Sequence, residues 1–249
     1  MCILLLAHRC HPVYDLVVAA NRDEFHARAS SVADFWPGVP SVIAGRDLEA
    51  GGTWLGISTA GQFAAVTNLR GGSAARDAVS RGHLVRDFLL QPARAADYIE
   101  RLNALSARVA GCNLLVSDRD ELYWWSTTAR RKLVPGVYGI SNSPWPDEWP
   151  KVQRLKAAYA DLAAAPEEAL IDGLFEVLRD RAPRQLGSVD LARLEETLFV
   201  LSPTYGTRCS TIVLRAHSGE LCLVERSFNQ AGDLTGERRF QVPRCSRRK

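Results

Sequence analysis

Continuous apolar runs alternate with polar, glycine- and proline-broken stretches along this chain. Residues 2–7 (Cys-Ile-Leu-Leu-Leu-Ala) and 16–20 (Leu-Val-Val-Ala-Ala) are apolar at every position. Short runs of this kind suit strands covered on both faces. The polar, proline-containing segment His8–Asp15 predicts the connection of a hairpin between them. Placing Ala7 opposite Leu16 brings Cys2 opposite about Asn21, within the register slip a long loop allows. Asn21, Arg22 and Asp23 then close the second strand beside the thiol and the amine at the chain start.

Further along, 26–40 reads as a loop, with a short strand over Val42–Asp47. Gly51–Ser58 and Gln62–Asn68 read as a hairpin turning at Thr59-Ala60-Gly61. Leu84, Val85, Phe88 and Leu89, then Tyr98, Ile99, Leu102 and Leu105, have helical spacing and predict helices over 78–90 and 93–106. Strands return at Cys112–Ser117, Glu121–Thr127 and Val137–Asn142. The segment 143–150 carries three prolines and breaks any regular element. Helices are predicted at 151–164 and 167–181, with a weaker one at 190–198. A last hairpin pairs Thr211–Ala216 with Leu221–Phe228. Hairpins dominate the β regions, so the reading is α+β: one domain over 1–249, with helices covering antiparallel sheets and a frayed tail from about 243.

Composition narrows the class. The 249 residues are 47% hydrophobic and 24% charged, as in a globular protein, and the net charge of +3 is too small to indicate nucleic acid. No run is long enough to span a membrane, and no basic region precedes the first apolar run as in a secretory signal. The six cysteines form no C-x-x-C pair and His8-Arg9-Cys10-His11 has no partner pair, so neither a metal site nor a disulfide framework is expected. Free thiols suit a cytoplasmic location.

The candidate chemistry lies at strand ends. Loss of Met1 leaves Cys2 with a free α-amine of reference pKa about 7.7–8.0, suited to act as base for its own thiol. Arg22 beside it is expected to favour the thiolate. Asp23 either orients the amine or staples the hairpin through an ion pair. Strand alternation sets Asn21 and Asp23 on one face and Arg22 on the other, unless a bulge intervenes. Asn68 and Asn142 stand where apolar strands stop; each suits a turn, or an amide N–H for an oxyanion. Asn113 ranks below them because it opens a strand. Arg22 and Arg208 are candidate substrate contacts, Arg208 alternatively being a solvated loop charge. Trp145 and Trp149, in the proline-broken loop, offer a place for an apolar ligand. Cys112, Cys209 and Cys222 adjoin strand patterns and read as core.

Met1-Cys2, Asn21-Arg22-Asp23-Glu24, Gly51-Gly52-Thr53-Trp54-Leu55-Gly56, Thr67-Asn68 and Ser141-Asn142-Ser143-Pro144 occur in order. As a set they resemble the transport-and-Golgi-organisation 2, or NRDE, family. The resemblance implies an N-terminal-nucleophile hydrolase fold, a four-layer αββα sandwich. Bile-salt hydrolases and penicillin V acylases are similar within that class: their nucleophile matches Cys2, and their strand-two Asn and Asp match Asn21 and Asp23. Their later asparagines match Asn68 and Asn142. The Arg that precedes their Asn is Ala20 here, and their late Arg lies near Arg208. The resemblance implies a cysteine hydrolase of a linear amide C–N bond in an acyl-amide, needing no cofactor. The family's links to haem trafficking and lipid or acyl-CoA metabolism imply the alternative, a carrier of haem or an acyl-CoA-like ligand.

Overall fold

The computed structural model describes residues 2–70, 79–91, 93–146, 148–182 and 193–244. The two apolar runs form the predicted hairpin, β1 (Ile3–His8) and β2 (Tyr14–Phe25). Its register is one residue off the expected one: Ala7 faces Val17 and Ile3 faces Asn21. Continued by one step, this sets Cys2 opposite Arg22, so those two side chains share a face. The turn that fixes the register closes with Arg9 in a left-handed conformation, φ 51°, and its N–H donating to the Asp15 carbonyl at 2.8 Å. Nothing in the apolar run marks that residue in advance.

Segment 26–40, expected as a loop, instead enters a hairpin of β3 (Ser30–Trp36) and β4 (Val39–Asp47). β3 buries only Ala33 and Trp36, so it lacks the apolar run of a central strand; it is an edge strand. β5 (Leu55–Ser58) and β6 (Phe63–Asn68) follow, then α1 (Arg81–Leu90) and α2 (Ala95–Asn103). β7 (Cys112–Ser117), β8 (Leu122–Trp125), β9 (Arg130–Lys132) and β10 (Gly136–Ile140) come next. After α3 (Pro150–Leu162) and α4 (Glu167–Leu178) the chain ends in β11 (Tyr205–Ala216), β12 (Leu221–Phe228) and β13 (Leu234–Val242). β13, whose residues are almost all exposed, was not anticipated. Of the weak helix expected at 190–198, residues 190–192 lie outside the described residues; Arg193–Glu195 form a single 3-10 turn and 196–198 are not helical.

The strands make two antiparallel sheets, ordered β10-β1-β2-β11-β12-β13 and β3-β4-β5-β6-β7-β8-β9. Leu4, Leu6, Leu16, Val18 and Ala20 point between the sheets and meet Ile43, Leu55, Ile57 and Leu115. Ile3, Leu5, Val17 and Ala19 point the other way, onto Leu155, Leu174 and Phe175 of α3 and α4. Phe88, Tyr98 and Ile99 of α1 and α2 cover the outer face of the second sheet. The order is therefore αββα, and the uniformly apolar β1 and β2 are explained by burial on both faces. No helix among the described residues is long and apolar enough to cross a membrane.

Two polar links pin the sheets together. Arg215, 1% exposed at the end of β11, donates from Nε to Asp15 Oδ1 at 2.8 Å. Its Nη1 donates to the carbonyls of Gly61 and Asp118, in two hairpin turns of the second sheet, at 3.0 and 2.7 Å. Glu225 of β12 faces the inter-sheet space, where its Oε1 accepts the Ala33 N–H of β3 at 2.6 Å. Burial pushes the Glu225 carboxyl above its ordinary 4.5, against hydrogen bonds from Ala33, Cys209 and Thr211 and the charge of Arg22.

Arg215→Met strands the Asp15 carboxylate and two carbonyls, and is expected to cost about 3–5 kcal/mol in urea unfolding; a loss below about 1 kcal/mol contradicts the link. The Glu225 prediction follows from linkage. Its folded pKa is raised, so its contribution is complete below the ordinary carboxylate range and is lost as pH rises through the folded value. Glu225→Gln should therefore gain melting temperature relative to wild type as pH rises through that window. A difference independent of pH would contradict a titrating Glu225.

Candidate functional site

At the open end of the sandwich the sheets part around a cavity of about 640 Å³. Cys2, Arg22, Asn68, Asn142, Cys209 and Glu225 line it, with the apolar Trp54, Val66 and Leu69. The Gly-Gly-Thr-Trp segment builds one wall. A Cβ on Gly52 would lie 2.4 Å from the Gly82 carbonyl carbon, so only glycine lets this loop meet the start of α1. Thr53 N–H donates to the Gly82 carbonyl at 3.2 Å, holding Trp54 and Arg81 at the wall.

The three polar residues that end β2 go to different places. Asn21 turns to the helix side, where Nδ2 donates to the carbonyls of Leu178 and Leu198 at 2.8 and 2.9 Å. Its Oδ1 accepts the Ser210 hydroxyl at 2.6 Å. Its amide is fully engaged there, and Asn21 does not line the cavity. Asp23, 4% exposed, also takes the helix side. Its Oδ1 accepts the Thr207 hydroxyl at 2.7 Å, and Tyr205 donates to its carbonyl at 2.9 Å.

Arg22 points into the cavity. Its Nη2 lies 3.8 Å from Glu24 Oε2, and its buried Nη1 has no hydrogen-bond acceptor among the described residues. β2 stays regular here. The irregularity falls in β11, where Asp23 pairs with Thr207 and Arg22 with Cys209, leaving Arg208 as the extra residue. Arg208 Nη1 donates to the carbonyls of Phe25, His26 and Arg28 at 3.0–3.3 Å, so this expected substrate contact clamps the loop at the cavity mouth.

The Cys2 thiol is pushed up from its ordinary value, against the expectation drawn from Arg22. Burial dominates, and the Asp23 charge adds to it. The charge of the Met1 α-ammonium, the Asp23 N–H and Arg22 oppose it in that order. At rest Cys2 is thus a thiol and not a thiolate.

Asn142 is set by a clamp on its two neighbours. Asn113 Nδ2 donates to the carbonyls of Ser141 and Ser143 at 3.1 and 2.9 Å, and Thr67 Oγ1 donates to the Ser141 carbonyl at 2.5 Å. Asn142 Nδ2 donates to the Asn68 carbonyl at 2.6 Å, which ties the two cavity asparagines together; its buried Oδ1 has no partner among the described residues. Asn68 is exposed to the cavity at the end of β6. Asn113, ranked below both, is the residue that organises them.

Trp145 is not brought to the site: its ring packs 5.0 Å from Trp124 and 6.1 Å from Tyr138. Trp149 instead lies 5.5 Å from the Lys151 ammonium. Cys112 and Cys222 are core, as expected, but Cys209 lines the cavity, and burial followed by the Glu225 charge raises its thiol well above 9.0. Three further residues escaped the sequence reading. Glu225 continues the parity of Leu221 and Leu223, so a carboxylate on a buried face was legible. Lys151 stands on the stripe of Leu155 and Tyr159. Arg81, which has no ion pair among the described residues, left no such mark. No group of His, Cys, Asp and Glu suited to a metal occurs among the described residues.

The fold resembles solved acylases and hydrolases. A penicillin V acylase from Agrobacterium tumefaciens superposes with a TM-score of 0.57 at 11% identity, over 90% of this chain and 82% of that one. A C2A mutant of conjugated bile acid hydrolase from Clostridium perfringens gives 0.55 at 9% identity, over 97% and 92%. In sequence, the Transport and Golgi organization protein 2 homolog of Bos taurus is 34% identical over 92% of this chain and 93% of its own length. Transport and Golgi organization protein 2 of Drosophila melanogaster is 33% identical over 92% of each. The model of the Transport and Golgi organisation 2 family matches residues 1–230, and the chain belongs to that family.

Proposed function

We propose that this protein is a cysteine N-terminal-nucleophile hydrolase that cleaves the linear C–N bond of a small acyl-amide. The observation that carries this reading is the placement of Cys2 in a cavity with Asn68 and Asn142 while Asp23 stands beside it at the strand end. A cysteine at position 2 is also the residue replaced in the C2A bile acid hydrolase, which supports it. The reading requires removal of Met1, which frees the α-amine of Cys2. That amine takes the thiol proton, and sulfur attacks the amide carbonyl as the carbon–oxygen π electrons move to oxygen. Asn68 donates to the oxyanion. The C–N bond breaks as the ammonium protonates the departing amine, and water then cleaves the thioester to release the acid. Arg22, at the cavity wall, holds a negative group of the substrate. The five described cysteines are free, which supports a cytoplasmic location.

A second reading, a carrier of haem or an acyl-CoA-like ligand, draws support from the arginines. Arg22, Arg28, Arg46, Arg70, Arg81 and Arg208 all border the cavity, more cationic charge than hydrolysis of a neutral amide needs.

The test starts with intact mass of the purified chain, expected to begin at Cys2. Turnover of a panel of acyl-amides should then fall about 10³-fold or more in Cys2→Ala. A correctly processed wild type that hydrolyses none of them, yet binds haem or an acyl-CoA with an affinity that Cys2→Ala leaves intact, replaces the hydrolase with the carrier.

A further inference from the structure

Of the six arginines that line the cavity among the described residues, four are engaged by the wall itself. Arg28 closes on Asp47 at 2.8 Å, Glu49 at 3.2 Å and Glu24 at 3.8 Å. Arg70 pairs with Glu195, the Arg46 guanidinium lies 5.1 Å from the Trp36 ring, and Arg208 holds three carbonyls. Arg22 and Arg81 are left. Arg22 is 8% exposed, with one long contact to Glu24 and an Nη1 without an acceptor among the described residues. Arg81 is half-buried and has no hydrogen bond or ion pair among the described residues; burial pushes its guanidinium below its ordinary pKa. Arg81 also opens α1, and nothing anionic caps that end. Ser80 takes the N-cap position without a side-chain hydrogen bond to the helix, and the first turn holds no acidic residue. The His83 N–H reaches the Ser80 carbonyl at 2.9 Å, while those of Arg81 and Gly82 have no partner among the described residues. Ser80, Arg81 and Gly82 all line the cavity. The glycine loop holds them there: Thr53 N–H donates to the Gly82 carbonyl at 3.2 Å, and His83 Nε2 meets the Ala50 carbonyl at 2.6 Å. The positive pole of the helix and an unpaired guanidinium thus share one stretch of cavity wall.

We propose that the first turn of α1, with Arg81 and the Ser80 hydroxyl, is an anion subsite of the cavity that takes a phosphate group of the ligand. Main-chain N–H groups at a helix start favour an oxyanion, and a guanidinium adds charge-assisted donors. Two N–H groups, a hydroxyl and a guanidinium suit the three terminal oxygens of a phosphate better than the two of a carboxylate. The nearby carboxylate does not fill the place. Glu24 acts on Arg81 only at a distance, and its own oxygens serve the Phe25 N–H, Arg22 and Arg28. A second unmet group of the same cavity is an acceptor: Asn142 Oδ1, on a residue 4% exposed, has no donor among the described residues. The ligand is therefore expected to bring an N–H as well as the anion. The inference deepens the hydrolase reading, naming its substrate as a phosphate-bearing amide, and rests on that reading for the reaction alone. The subsite itself requires only that this cavity receive the ligand.

The experiment titrates the full chain with inorganic phosphate at constant ionic strength, against acetate and chloride, by calorimetry and by melting temperature. Phosphate should bind saturably and raise the melting temperature by about 5 °C at about fifty times its dissociation constant, while acetate and chloride do not. Arg81→Gln should weaken phosphate about tenfold or more. Without phosphate it should melt no lower than wild type, because Arg81 has no partner to lose. Ser80→Asp separates a built site from general attraction. Its carboxylate caps α1 and should hold or raise the melting temperature, yet it takes the place of the anion and should abolish phosphate binding. Arg130→Gln removes an arginine that pairs with Glu100 outside the cavity and should leave phosphate affinity unchanged. Phosphate binding that Arg81→Gln and Ser80→Asp leave intact, or that Arg130→Gln weakens equally, is an adventitious ion only and overturns the proposal. Absence of saturable binding overturns it too, and equal binding of acetate overturns the phosphate assignment. A destabilised Arg81→Gln with unchanged affinity makes Arg81 structural and has the same result. None of these readouts uses turnover. A wild type that binds phosphate at Arg81 but hydrolyses no amide defeats the proposed reaction and leaves the subsite standing; one that hydrolyses amides but fails the phosphate tests does the reverse.

Discussion

The structure depends on how one strand ends. β2 is buried on both faces for most of its length and then must place Asn21, Arg22 and Asp23, none of which suits an apolar layer. Alternation divides them. Asn21 caps the carbonyls that the end of α4 and residue 198 leave open, and Asp23 takes the Thr207 hydroxyl. Arg22 goes to the inter-sheet side, where the sheets part around it. A cavity at this end is the counterpart of a guanidinium that two packed sheets leave no room to enclose. The bulge at Arg208 completes the arrangement, shifting β11 by one residue so that Cys209, not a longer side chain, faces Arg22.

The opposite end of the same sandwich is closed by the same kind of chemistry used differently. Arg215 is as buried as any core leucine, but its donors are met by Asp15 and by the carbonyls of Gly61 and Asp118. Arg22 has one long contact to Glu24 and one nitrogen without a partner among the described residues. Two arginines at the two ends of a strand pair thus do opposite things. One is saturated and pins the sheets; the other keeps a buried nitrogen with no acceptor among the described residues. That contrast, more than the count of charged residues, sets the two ends of the sandwich apart.

Periodicity made most of the fold legible. β1, β2, β5–β8, β12 and all four helices follow from apolar runs or helical spacing, because each buries a full face. β3 and β13 did not, since edge strands bury too few residues to write a pattern. The site was legible as composition and not as roles. Cys2, Asp23, Asn68 and Asn142 were found because polar residues end apolar strands, but the pattern does not say whether an amide is free. Asn21 and Asn113 look alike in sequence to Asn142, and their carbonyl partners come from segments far along the chain. The one-residue register error had a similar origin, a left-handed Arg9 that no propensity announces. Glu225 and Lys151 were legible in principle, as charges on buried stripes.

The raised thiol of Cys2 bears on what kind of site this is. A cysteine that relies on a standing thiolate is found where positive charge outweighs burial. With Met1 in place, burial and Asp23 together outweigh the Met1 α-ammonium, the Asp23 N–H and Arg22. A nearby carboxylate that opposes thiolate formation is a poor neighbour for such a nucleophile. It is a good neighbour for a protonated amine, which forms at the moment the thiol gives up its proton. In the proposed reaction Asp23 would thus favour the ammonium of the pair while opposing its thiolate. Under the proposed hydrolase reading that state gives Asp23 its purpose beside Cys2 at the cavity, whereas a carrier has no proton-transferred state for it to stabilise.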